Sequence, residues 1–417
     1  AGVIDGGQIA NDGTNDQLTA GGAIALTAAD ANTAAFETDL VIDGRVTSTA
    51  GSITLNATRD VLIGTAAVAD ARVSAGNDVT ATGDTNNDGS GGVLVAQQGS
   101  IVTTDAITLA GADVFATAGV IDGVQIANDG TTAQLNAGGL IVLTAADANT
   151  AAFETDLVID GRVTSTAGAV TLSATRDVLI GTAAVADARV SAGAALGITS
   201  DANNDGSGGL LVDASGELVA VGAVTATGSD LFATGGSTDG IRIASDGAAI
   251  QISGAGGISL TSATDLLVLG HLTSTGGNVG LVANRDVLVD ADVLASGNNR
   301  TITATGDADG DDVGGVRIST GGSLFATGTN GAVTISGADL FVTATAGDGV
   351  LIANDGTTDQ VRGAGAVNIT ASSTGNAAFE SDAVIDGRVT STTGSITLNA
   401  TRDVLIGTAA VADARVS

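Results

Sequence analysis

Apolar and polar residues alternate along most of the chain. Ser52-Ile53-Thr54-Leu55-Asn56-Ala57 places Ile53, Leu55 and Ala57 on one face and Ser52, Thr54 and Asn56 on the other. A period of two marks a strand buried on one side. The same texture runs through AGGAIALTA at Ala20–Ala28, AGNDVTATG at Ala75–Gly83 and QGSIVTTDAITLAG from Gln98. Each run is short and is bounded by Gly, Asn or Asp, as strands between tight turns should be. The Ala-rich piece Thr65–Ala71 has helical propensity, but it is short, lacks a capping box and lies between β-branched runs. No helix is expected.

The runs belong to a longer repeat. Thr47–Ser74, TSTAGSITLNATRDVLIGTAAVADARVS, returns almost unchanged at Thr164–Ser191 and Thr390–Ser417. Asp60 matches Asp177 after a shift of 117 residues, Asp286 follows 109 further on, and Asp403 another 117. Four modules result: 1–117, 118–234, 235–343 and a partial 344–417. The third is short because LTAADANTAAFETDL (Leu26–Leu40 and Leu143–Leu157) is reduced to LTSATDL at Leu260–Leu266. A piece that drops out with the pattern in register on both sides reads as a surface loop. That loop carries Phe36, Phe153 and Phe379, the candidates for contact with a partner.

Strand starts every ~20–30 residues, in tandem modules, predict an all-β fold of stacked coils: a parallel β-solenoid, or β-helix. At about 22 residues per coil the chain would make roughly 19 coils. The absence of Pro agrees, since Pro cannot donate to a ladder. Small residues let facing sheets approach, and Val, Ile and Leu fill a narrow interior. Phe115, Phe232, Phe325 and Phe341, each following Leu or Val, are expected in that core.

Composition narrows the role. All 14 basic residues are Arg against 46 acids, of which only Glu37, Glu154, Glu217 and Glu380 are not Asp, and the net charge is −32. Such a surface repels nucleic acid and anionic lipid and attracts divalent cations. No apolar run approaches the ~20 residues that span a bilayer. There is no Cys, and thus no disulfide or thiolate site. The sole His, His271, replaces the Arg found at 45, 162 and 388, so it reads as a surface substitution. One His without Cys leaves neither a zinc site nor a Ser-His-Asp triad within reach. Residue 1 is Ala inside the repeat pattern, and the chain reads as a section of something longer.

The runs AGGAIALTA, TSTAGSITLNATRDVLI and TTGSITLNATRDVLI resemble the filamentous-haemagglutinin type of bacterial surface protein. The resemblance covers nearly the whole chain, as a texture more than a signature. It implies a right-handed β-helix, export to the bacterial cell surface, and filament building or adhesion. Partners would then be further copies of the chain, end to end or laterally, and cell-surface glycans or other cells.

The strongest local motif is acidic. DTNNDG at Asp84–Gly89 and DANNDG at Asp201–Gly206 fit D-x-N-x-D-G, and DADGDD at Asp307–Asp312 follows it in part. Oxygens at alternate positions around a Gly turn are the start of a calcium loop, with Asp84, Asn86 and Asp88, Asp201, Asn203 and Asp205, and Asp307, Asp309 and Asp311 as ligands. The closing Glu is missing: Val95 and Val212 stand at position twelve. The competing reading is a plain Asn-Asp-Gly turn. Ala-Asn-Asp-Gly at Ala10–Gly13, Ala127–Gly130 and Ala353–Gly356 reads as a turn, and the Asn-x-Thr triplets at Asn56, Asn299, Asn368 and Asn399 as chance in a Thr-rich chain. Arg beside acid, as in Arg59–Asp60 and Asp43-x-Arg45, reads as surface ion pairs. The expected protein is a structural one without catalytic activity. Its rivals are a row of calcium-dependent Ig-like domains, an ice-binding solenoid needing one regular Thr-x-Thr face, and a polysaccharide lyase.

Overall fold

The computed structural model describes residues 4–10, 13, 15–29, 38–64, 71–89, 91–112, 123–127, 133–146, 155–181, 188–230, 239–247, 249–338, 348–354, 356, 358–372, 382–407 and 414–417. Phe36, Phe153 and Phe379 lie outside them, as do Phe115, Phe232 and Phe341. Among the described residues there is no helix, and every described strand pairing is parallel. The expected β-solenoid is therefore the fold, and antiparallel Ig-like sandwiches are not.

Each coil supplies three strands, one to each of three sheets, A, B and C. Thr38–Ile42, Arg45–Ser48 and Ile53–Ala57 make one such coil. Val61–Ile63, Ala71–Ala75 and Val79–Thr82 make the next, and each strand pairs with its counterpart in the coil before. Two compact units are built this way: Ala1–Val219 with Phe232–Gly236, and Ala220–Leu231 with Ser237–Ser417.

The coils are longer than expected. In the first unit the register partners Ile53, Val79, Ile107, Ile141 and Val170 of sheet C are separated by 26, 28, 34 and 29 residues. Those steps total the 117-residue shift, so one module is four coils. In the second unit Ile258, Val279, Ile302, Val333 and Val367 are separated by 21, 23, 31 and 34, which gives the 109-residue module. The eight-residue deletion falls between Gly257–Ser262 of sheet C and Asp265–Val268 of sheet A, at a corner, so it alters no ladder. Among the described residues the chain makes fourteen three-strand coils and begins a fifteenth. The estimate of 19 failed because corner segments add length that the strand pattern does not carry.

Alternation sets the core as expected: Ile53, Leu55, Val61 and Ile63 are all fully buried. Stacking puts like over like, so Ile107, Ile141 and Val170 continue one interior row and Leu109, Leu143 and Leu172 another. Sheet A departs from alternation. Leu62 should face out, yet it is buried, with Val41 and Leu94 in register on either side. These three form an apolar cluster of their own on the outer face of sheet A. Phe325 corrects the expectation in the other direction. Leu324 and Ala326 point inward, and Phe325 stands half-buried on the outer face between Leu294 and Arg362.

Two corners are closed by buried polar side chains. Where sheet A turns to B, the fully buried Gln134 accepts the Arg162 N–H of the next coil through Oε1 at 2.8 Å and donates from Nε2 to the Ala127 carbonyl at 2.7 Å. Gln251 and Gln360 repeat the first bond, to His271 and Arg388, each at 2.8 Å. Gly161 is required beside it, since a Cβ there would lie 2.4 Å from that Oε1. Where B turns to C, Ser165 donates to the Gly139 carbonyl at 2.5 Å and accepts the Gly168 N–H at 2.9 Å. Ser48 and Ser391 do the same.

Because contacts run mainly between adjacent coils, damage should stay local. Leu143→Ala, at a fully buried position of the Ile141–Ala145 strand, is expected to cost about 2–5 kcal/mol. Hydrogen exchange should quicken in that strand and its two neighbours, Ile107–Gly111 and Val170–Ala174, and far less in the Val367–Ala371 strand of the other unit. Uniform acceleration would contradict this.

Candidate functional site

The third corner, from sheet C to the next sheet A strand, carries the acidic loops. They lie between Val79–Thr82 and Val93–Val95, between Leu196–Thr199 and Leu210–Val212, and between Thr301–Thr305 and Val316–Ile318. All three follow one backbone path. Positive φ recurs at Asp84, Asn87, Gly89 and Gly91, at Asp201, Asn204, Gly206 and Gly208, and at Asp307, Gly310, Asp312 and Gly314. Asp and Asn tolerate this left-handed region better than other side chains. Hence Asp312 stands where its counterparts have Gly, and the loop is unchanged.

Each loop is anchored to the coil below. Asp84, Asp201 and Asp307 donate their N–H groups to the carbonyls of Arg59, Arg176 and Arg285 at 3.0, 3.2 and 3.1 Å. Gly91 must be Gly, because a Cβ would come within 2.4 Å of the Arg59 carbonyl. The Asp of each Arg-Asp pair completes the anchor. Asp60, Asp177 and Asp286 are fully buried, and their Oδ1 atoms accept the N–H of Gly92, Gly209 and Gly315 at 3.0, 2.8 and 2.9 Å. This corrects the reading of Arg59–Asp60 as a surface ion pair: Arg59 is 9% and Arg176 7% exposed. Surface pairs do occur elsewhere, as between Arg189 and Glu217 at 3.0 Å. His271, at the Arg position as expected, lies 3.7 Å from an Asp292 carboxylate oxygen.

The loops differ in what they do with their oxygens. In the first, Asp84 accepts the N–H groups of Asp88 and Gly89 at 2.9 and 3.2 Å, and Asn86 donates its amide to Asp88 at 2.9 Å. The second repeats this with Asp201, Asn203 and Asp205 at the same distances. These are turns closed by their own side chains. The third has carboxylates in place of the amide. Asp307, Asp309 and Asp311 bring one oxygen each within 4.8 Å of one another, so among the described residues this group could hold a metal ion. The Asp307 Oδ1 atom is buried without a hydrogen-bond partner.

Burial pushes the Asp307 carboxyl above its ordinary range. The charges of Asp311 and Asp309 add to the rise, and the N–H groups of Asp311 and Asp312 oppose it. Asp84 is raised by burial too, with a contribution from Asp88. A raised folded value means that protonation favours the folded loop. Stability is then full at low pH and is lost as pH rises through that value. A bound cation relieves the same repulsion at neutral pH.

No protein-family model matches the chain, and neither a curated protein nor a solved structure matches it. Fold and site define a class, the parallel β-solenoid with four coils to a module. No helix among the described residues is long and apolar enough to cross a membrane.

The buried Asp anchor makes a sharp prediction. Asp177→Ala leaves the Gly209 N–H buried without its acceptor and should cost about 1–3 kcal/mol. Faster hydrogen exchange across residues 201–212 would register it. A surface ion pair would have left that segment unchanged.

Proposed function

We propose that the chain is a structural section of an extracellular bacterial filament or surface adhesin, and that it performs no catalysis. The observation that carries this is the four-coil module. Successive modules repeat the same clips and ladders at the same places, so repetition mainly adds length. A site for catalysis needs a particular set of groups in one place, whereas the buried Gln, Ser and Asp of the corners recur from module to module. The likeness of the repeated runs to filamentous-haemagglutinin proteins supports the same role. Partners on this reading are further copies of the chain and cell-surface glycans.

Electron micrographs of the native protein should show continuous thin filaments. Separate rounded particles would overturn the reading.

Calcium is the cation proposed for the Asp307, Asp309 and Asp311 loop, because hard oxygen ligands on an acidic turn suit it. Without calcium, Asp307→Asn should raise the melting temperature at neutral pH, since it removes a carboxylate whose charge the fold penalises. It should also shrink the rise that calcium produces in the parent. That rise should fade as the pH falls toward the carboxylate range. A variant that melts lower than the parent in chelator and responds equally to calcium would rule the site out.

A further inference from the structure

One of the third module's departures on the outer face of sheet C is at Gly280. The row Thr225, Ser259, Gly280 and Thr303 runs in register across four successive strands of the second unit. At the position of Gly280 the corresponding coils have Thr54, Thr171 and Thr397. Losing that side chain opens a groove of about 430 Å³. The size falls in the range of small-ligand sites.

One wall of the groove comes from a second departure. Seven residues separate Ala295 from Ile302, where four separate Ala75 from Val79 and Ala192 from Leu196. The extra length brings Arg300 and Thr301 to positions held by Asn77 and Asp78, or by Ala194 and Ala195. A site that is neutral or acidic in the other modules is basic here. The Arg300 stem packs over Gly297, where a Cβ would lie 2.9 Å from its Cγ. Its Nε is buried and has no hydrogen-bond partner, and among the described residues no carboxylate pairs with it. Asn278 lines the groove as well; its Oδ1 accepts the Thr301 N–H at 3.0 Å, which leaves its amide nitrogen for a ligand.

We propose that this groove binds a short glycan bearing one carboxylate-containing sugar. The carboxylate sits on Arg300, the fork geometry that guanidinium offers. Ring hydroxyls meet Thr225, Ser259, Asn278 and Thr301. No acid lines the groove, so a single negative charge is accepted there. A polyuronate would be repelled by the net charge of −32. The choice of a glycan rests on the reading of the chain as a surface protein; the filament itself is tested by microscopy and stands or falls separately.

Calorimetric titration of the full chain with a glucuronyl-glucose disaccharide, and with its neutral glucosyl-glucose counterpart, tests the site. The acidic sugar should bind saturably, and the neutral one at least tenfold more weakly. Arg300→Gln should weaken the acidic sugar at least tenfold. Gly280→Thr should abolish binding while folding normally, because Thr is the residue in the other modules and a Cβ at 280 meets only the Ser259 hydroxyl at 3.9 Å. Arg72→Gln, on an exposed position of another coil, should change nothing. Equal binding of the two sugars, unaltered binding by Arg300→Gln, binding of inorganic sulfate as tight as the sugar, or no saturable binding to either sugar would overturn the proposal.

Discussion

Everything in this structure depends on satisfying buried backbone groups where a parallel coil turns a corner. Along the sheets the ladders do this without help. At the corners the chain changes direction while remaining covered by the coils above and below, and an unpaired buried N–H costs about 1–3 kcal/mol. The chain meets the cost with polar side chains at the corners, and one set of three recurs from module to module. Gln134, Ser165 and Asp177 are all buried, and each takes a backbone N–H that the ladders leave over. Each recurs at the matching place in other modules, as Gln251, Ser48 and Asp286 show. A β-solenoid with a core of small and β-branched residues has little apolar area to spare. Its specificity therefore lies as much in these polar clips as in the Ile, Leu and Val rows.

The same constraint sorts the corners by freedom. The turn from B to C is held tightly by Ser165 and changes little in length within the first unit. The turn from C to A is anchored at its ends, by the buried Asp and by close approach at Gly91, and can grow between them. Insertions collect there, the acidic loops among them. An anchored loop on a rigid ladder is also a place where carboxylates can be forced together. Asp307, Asp309 and Asp311 show this, and the Asp307 carboxyl is raised first by burial and further by the charges of Asp311 and Asp309. The first two loops have the same backbone with Asn86 and Asn203 in place of Asp309, so one scaffold carries an amide at that point twice and gathers three acids once.

The third module shows how such a repeat can vary without breaking. It loses a corner segment, lengthens another corner before Ile302, and trades Thr for Gly at 280. None of these disturbs an inward-facing position. Ile258, Val279 and Ile302 remain in register and buried. Outer-face and corner positions are thus free to carry local chemistry, whereas inner ones are not.

The sequence by itself determined the strands, their inward faces, the module length and the stacked parallel fold. Alternation of period two and near-identical repeats at 117 residues leave little else that buries Ile53, Leu55, Val61 and Ile63 together. It also marked the acidic loops, since D-x-N-x-D-G is legible as written. Only the tertiary structure decided how many residues make a coil, because corner segments carry no period. It alone showed Asp60 buried, because one Asp beside one Arg looks the same whether solvent or the next coil covers it. It put Phe325 outside, since a single apolar residue in a run does not reveal its face until its neighbours are paired. And it showed how all three acidic loops are held, because the buried Asp60, Asp177 and Asp286 that anchor them lie some thirty residues away in the chain.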